Sequence, residues 1–198
     1  PGPRAPASPQ RAAPCSPQVK RDMSGWWGPC IHEYYGSTEG GIVSGIGAEE
    51  WLQRPASVGR ATFQTEVRIL RDDGSEAPAG EQGTIYMQSR SGARLQYHND
   101  AAKTAAAHQG DALFTTGDVG WLDEQGYLFL TDRKIDMIIS GGVNIYPAEI
   151  ESVLAAHPAV QDVAVIGVPN AEFGEEVKAI VQPPPGHTAD AALRCARR

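Results

Sequence analysis

Between Ala61 and Leu130 every apolar run is short and is cut by a glycine-containing turn, and this punctuation limits the fold more than any other feature. Phe63, Val67, Ile69 and Leu70 precede Asp72-Asp73-Gly74, and Thr84, Ile85, Tyr86 and Met87 follow Gly80 and Gly83. Leu113-Phe114-Thr115-Thr116 runs into Gly117-Asp118, while Gly120-Trp121-Leu122 and Tyr127-Leu128-Phe129-Leu130 flank Asp123-Glu124-Gln125-Gly126. Strand-forming residues around Asp-Gly and Gly turns predict short strands joined as hairpins. The acidic turn at Asp72 lacks the spacing of a calcium loop, so it reads as a turn only.

Helical signals are fewer. The alanine-rich stretch 99–110, closed by Gly110, predicts a short surface helix. Pro147 opens another, in which Ile150, Val153 and Leu154 share one face, Glu149 and Glu151 sit near the positive end of the helix dipole, and His157-Pro158 ends the run. Before it, Ile135 and Met137-Ile138-Ile139 predict a short strand. After it, Val160 to Val168 and Glu176 to Val181 predict two more, with a turn at Pro169-Asn170 and Gly174 between them. The expected class is α+β.

Residues 1–17 hold six of the chain's 15 prolines and too little apolar surface to offset the entropy of ordering. Order is signalled from Val19 and the Trp26-Trp27 pair onward, and the segment 1–25 is expected to be a Pro/Ala-rich start without fixed structure. Ile31 then leads a short strand to Tyr34-Tyr35. Seventeen basic residues against 24 acidic ones give a formal net charge of -7, with no basic patch to suit nucleic acid. No apolar run approaches the roughly 20 residues that span a bilayer, and no basic-then-apolar leader opens the chain, so a cytoplasmic location without a transmembrane segment is expected. Cys15, Cys30 and Cys195, and the five histidines, lack the spacing of a metal site.

Four motifs carry chemistry. The first is Tyr34-Tyr35-Gly36-Ser37-Thr38-Glu39-Gly40, in which an aromatic face stands beside a hydroxyl and a carboxylate. The second is Thr116-Gly117-Asp118, whose carboxylate can accept from two vicinal hydroxyls or can cap its own turn. The third is Asp132-Arg133, whose guanidinium fork suits ribose or phosphate and equally suits a surface ion pair. The fourth, Ser140-Gly141-Gly142, is either a tight turn or a loop that a slender ligand arm can pass at close range.

In order and content these motifs resemble the adenylate-forming, AMP-binding acyl-CoA synthetases, over a stretch from about Trp26 to about Val181. Such enzymes join a carboxylic or fatty acid to AMP using ATP and Mg2+, then pass the acyl group to coenzyme A. The resemblance implies that Tyr35 packs on adenine, Thr38 donates to the α-phosphate and Glu39 binds Mg2+, with Thr38 and Glu39 the catalytic pair. It implies that Gly36 and Ser37 border the acyl pocket, that Asp118 holds the ribose hydroxyls, that Arg133 binds ribose or phosphate, and that Ser140, Gly141 and Gly142 line the path of the CoA arm. The hinge of the small domain would fall at Ile135, where relatives often carry Asp or Lys; here Lys134 and Asp136 flank it.

The same resemblance divides the chain into a remnant of the large AMP-binding domain at 26–132, with a β-barrel-like subdomain, and part of the small mobile C-terminal α+β domain at 133–198. The family's phosphate loop and its C-terminal Gly-Lys lysine have no counterpart among these residues, so the sequence reads as truncated at both ends. Each such cation contributes about 3 kcal/mol of stabilisation where charge develops. The 198 residues alone are therefore expected to adenylate poorly. Two alternatives stand beside the ligase reading: a non-catalytic AMP/ATP-binding or interaction module, and an adenylation domain that passes acyl-AMP to another acceptor.

Overall fold

A computed structural model describes residues 8–10, 17–38, 40–92 and 94–186. They form two compact units, one up to Thr131 and one from Asp132 onward. The first unit contains β1 (Ser8–Gln10), α1 (Pro17–Trp27), β2 (Ile31–Ser37), β3 (Gly41–Ile46), α2 (Ala48–Gln53), β4 (Ser57–Ala61), β5 (Thr65–Leu70) and β6 (Gly83–Ser89). It continues with α3 (Ala101–Ala106), β7 (His108–Gln109), β8 (Leu113–Phe114), β9 (Asp118–Leu122) and β10 (Tyr127–Arg133), the last two residues of β10 belonging to the second unit.

One sheet runs β1-β2-β3-β4-β10-β9-β6-β8-β7, with β5 paired to β6 off this path. Among the described residues it stays open, so the expected barrel-like subdomain is a curled sheet and no closed barrel. Apolar side chains from β2 to β10 converge in one cluster: Tyr35, Val43, Val58, Ile69, Ile85, Met87, Leu95, Ala107, Phe114 and Leu128. A second cluster joins Ile46, Trp51 and Tyr127, with Phe129 packed against it. Where β3 meets β4 the backbones nearly touch. A Cβ on Gly59, whose φ is +89°, would stand 2.0 Å from the Gly45 carbonyl oxygen, so only glycine fits there.

Two helices brace β2. Lys20 of α1 is 1 % exposed, ion-paired with Glu33 of β2, and its ammonium lies 4.1 Å from the centre of the Trp51 ring of α2. A buried ammonium is tolerated because carboxylate and ring both compensate its lost hydration. This helix corrects the expected unstructured start, since residues 17–25 lie within α1; residues 1–7 and 11–16 fall outside the described residues. The predicted helix at 99–110 shortens to α3, capped by the Asp100 carboxylate on the Lys103 amide at 2.8 Å. His108 leaves it to pair with Phe114 in the sheet.

The second unit holds β11 (Ile138–Ser140), β12 (Val143–Ile145), α4 (Pro147–Ala155), β13 (Asp162–Asn170) and β14 (Gly174–Gln182), in sheet order β12-β11-β14-β13. Pro147 begins α4 as predicted, because its missing N–H costs nothing at a helix start. The neighbouring Ala148 amide donates to Asp132 Oδ2 at 3.0 Å. The predicted apolar face of α4 is only partly used: Ile150 and Leu154 are half-buried, whereas Val153 is 73 % exposed. Glu151, placed early in the helix for the sake of its dipole, accepts from the Val165 amide of β13 at 2.7 Å. The turn expected at Pro169-Asn170 comes later, since both residues still pair with β14. Asn170 Oδ1 then accepts from the amides of Glu172 and Phe173, which closes the reversal beyond the strand.

Candidate nucleotide site

The first motif lies at the tip of the β2–β3 hairpin. Tyr35 pairs with Ser44, the register then slips by one residue, and Gly36 and Ser37 pair with Ile42 and Gly41. At the slip a Cβ on Gly36 would lie 2.2 Å from the Gly41 carbonyl oxygen, so this glycine is required by the backbone before any ligand is considered. Ser37 Oγ accepts from the Gly40 amide at 2.8 Å and tightens the tip. Thr38 is exposed there; Glu39 lies outside the described residues.

Tyr35 and Asp118 are brought together across the unit. In the sheet order β2 and β9 stand four strand spacings apart, about 19 Å along a flat sheet. Yet the Tyr35 phenol donates to Asp118 Oδ2 at 2.6 Å. The sheet must therefore curl over its own core, and the motif strand ends facing the Thr116-Gly117-Asp118 turn. Thr116 Oγ1 donates to the same Oδ2 at 2.8 Å. Gly117, at φ +87°, donates its amide to Thr115 Oγ1 at 3.0 Å and sets the sharp entry into β9. Tyr35 is only 9 % exposed, so an adenine could meet no more than the small share left uncovered. Thr116 lies in the Thr116-Gly117-Asp118 motif without a role of its own in the sequence; a hydroxyl two residues before a carboxylate is the signal that singles it out.

The remaining predicted residues belong to the second unit. Arg133 ends β10 and starts a turn in which its carbonyl accepts from the Asp136 amide at 3.0 Å. Ile135, within that turn, is 88 % exposed. Ser140 pairs with Val143, and Gly141 and Gly142 between them have φ of +57° and +81°. Positive φ at both central positions is the mark of a type I′ hairpin turn, a geometry that leaves the question of a ligand arm's passage open. That turn is anchored from the β13–β14 end: Gly141 donates to the Phe173 carbonyl at 2.9 Å, and Ile139 to Glu175 Oε2 at 2.8 Å.

Comparison with known proteins identifies the family. The family model for AMP-binding enzymes matches residues 10–96, and that for the AMP-binding enzyme C-terminal domain matches residues 149–197. A 2-succinylbenzoate–CoA ligase of Bacillus velezensis is 41 % identical over 147 residues, 73 % of this chain and 29 % of the ligase. A long-chain-fatty-acid–CoA ligase of Mycobacterium tuberculosis is 44 % identical over 134 residues, 68 % of this chain and 26 % of its own length. The solved o-succinylbenzoate CoA synthetase of Bacillus subtilis, in complex with its acyl-adenylate intermediate, superposes with a TM-score of 0.81 at 31 % identity, over 92 % of this chain and 37 % of that one. The chain belongs to the adenylate-forming, AMP-binding enzyme family, in which these relatives are acid–thiol ligases. It spans under a third of the length of the two curated relatives.

Proposed function

We propose that this chain carries the adenosine-holding part of an ATP-dependent acyl-CoA synthetase. The observation that supports it is the convergence of the Tyr35 phenol and the Thr116 hydroxyl on the Asp118 carboxylate, near the tip of the hairpin that presents Thr38. In this reading the Asp118 carboxylate accepts the ribose hydroxyls, the exposed share of Tyr35 meets adenine, and the Thr38 hydroxyl donates to the α-phosphate. Gly36 and Ser37 border the acyl group. Glu39 is the proposed Mg2+ ligand, and the ion would screen the charge of the phosphates there. The acid's carboxylate displaces pyrophosphate from ATP to give acyl-AMP; the CoA thiol then attacks the acyl carbonyl and AMP leaves.

Residues 26–132 are read as a remnant of the large domain and 133–198 as part of the small C-terminal domain. The two family matches and the division after Thr131 support this. Arg133 is assigned to ribose or phosphate, Ile135 to the hinge, and the Ser140-Gly141-Gly142 turn to the passage of the CoA arm. The acyl substrate stays at the level of a carboxylic acid, because relatives of near-equal identity are named for an aromatic acid and for long-chain fatty acids. The location is proposed as cytoplasmic; among the described residues no helix is long and apolar enough to cross a membrane.

Calorimetry with AMP tests the site: the 198-residue protein should bind, and Asp118→Ala should lose at least about tenfold in affinity, the cost of removing a charged hydrogen-bond acceptor. Equal binding by both proteins refutes the assignment of Asp118. The same polypeptide should show little carboxylate-dependent ATP–pyrophosphate exchange, since none of its four lysines stands in a Gly-Lys context. Brisk exchange would contradict that expectation.

A further inference from the structure

The Asp118 carboxylate is held by two hydroxyls on one oxygen. The Tyr35 phenol and the Thr116 Oγ1 both donate to Oδ2, at 2.6 and 2.8 Å. Two donors on one oxygen restrict rotation about the Cβ–Cγ bond, so the place of the second oxygen, Oδ1, is fixed with it. A hydrogen bond donated by a ribose hydroxyl to a carboxylate depends steeply on angle, and a carboxylate oriented before binding costs the ligand less to engage. The turn helps, because Gly117 at φ +87° carries the chain from Thr116 to Asp118 with both side chains on one side.

Resting on the adenosine-site reading above, we propose that Thr116 is a positioning residue for nucleotide recognition. It acts through Asp118 and confers discrimination in favour of nucleotides that carry ribose hydroxyls. Turn chemistry alone offers a different account of the same hydrogen bond, in which the hydroxyl merely stiffens the entry to β9. The two accounts separate in the selectivity for ribose.

The test measures, by calorimetry on the full 198-residue protein, the affinities for AMP and for its 2′,3′-dideoxy analogue. Thr116→Val keeps the shape of the side chain and removes the donor. It should weaken AMP about tenfold while leaving the dideoxy analogue unchanged, so that the ratio of the two affinities collapses. Thr116→Ser should restore the ratio. Tyr35→Phe, which keeps the ring and removes the other donor, should lower it as well. A wild-type ratio in Thr116→Val, or equal weakening of both ligands, overturns the positioning role and leaves the adenosine site standing. Wild-type protein that binds neither nucleotide overturns the adenosine site itself, and the positioning role falls with it.

Discussion

The two units are held by different means. In the first, ten apolar residues drawn from most of the strands are buried together, and a buried lysine ties two helices to β2. In the second, Ile138 and Val165 are the buried apolar residues among those described, apart from Pro147 and half-buried neighbours. Ile135, Ile139, Val143, Val153, Ile166, Phe173 and Ile180 all stay exposed. Its order comes from the ladder, nine paired positions from Asp162↔Gln182 to Asn170↔Gly174. A unit that rests on side-chain burial resists local opening, whereas one that rests on exposed backbone hydrogen bonds opens at lower cost. The first description suits a region that must keep two donors within hydrogen-bond distance of one carboxylate. The second suits a region whose conformation is less firmly fixed.

The contrast can be broken most severely at Gly59. Gly59→Ala forces a Cβ onto the Gly45 carbonyl at a positive φ, and should cost more than about 4 kcal/mol, with loss of amide protection throughout the first unit. Retained protection there would show that the β3–β4 approach is slack. A finer comparison sets Leu128→Ala against Val165→Ala. Leu128 is fully buried in the large cluster and should cost about 3 kcal/mol, whereas Val165, with fewer buried neighbours, should cost about 1–2 kcal/mol and lower hydrogen-exchange protection only from Asp132 onward. Equal costs would dissolve the distinction between the units.

The smallest effect is expected at the surface of the first unit. Arg71 donates to both oxygens of Glu81, and this pairing holds the Glu81 carboxyl below the ordinary carboxylate range. A lowered pKa stabilises the fold above the unfolded value, and that contribution is lost as pH falls through the folded value. Both side chains are about two-fifths exposed, at 39 % and 42 %, so solvent screens the pair. Glu81→Gln should lower thermal melting at pH 7 only slightly, and its difference from the unmodified chain should vanish as pH falls through the folded Glu81 value. A clear loss at pH 7 would show that surface charge matters to this unit as well as burial.

Much of the local structure was legible. Asp-Gly and Gly turns located the hairpins around Gly74 and Gly126, and Pro147 located the start of α4, because these residues act on backbone dihedrals within a few positions. Less was legible between residues 17 and 61. There α1, β3, α2 and β4 depend on a buried Lys20–Glu33 pair and on a glycine contact across strands, neither of which leaves a period in the sequence. The apolar spacing of α4 marks a helical face, and Val153 on it stays exposed, since periodicity shows that a face exists and cannot supply what covers it.

By itself, then, the sequence determined the turns, the strand-rich α+β character and the order of the motifs that mark the family. Tertiary structure decided that Tyr35 and Asp118, 83 residues apart and on strands four spacings apart, share a hydrogen bond. It also decided that Thr116 joins them on the same oxygen. The physical reason is curvature: a turn is fixed by its own few dihedrals, while the curl of a sheet is the sum of packing over many strands, and only that sum brings distant side chains within 3 Å.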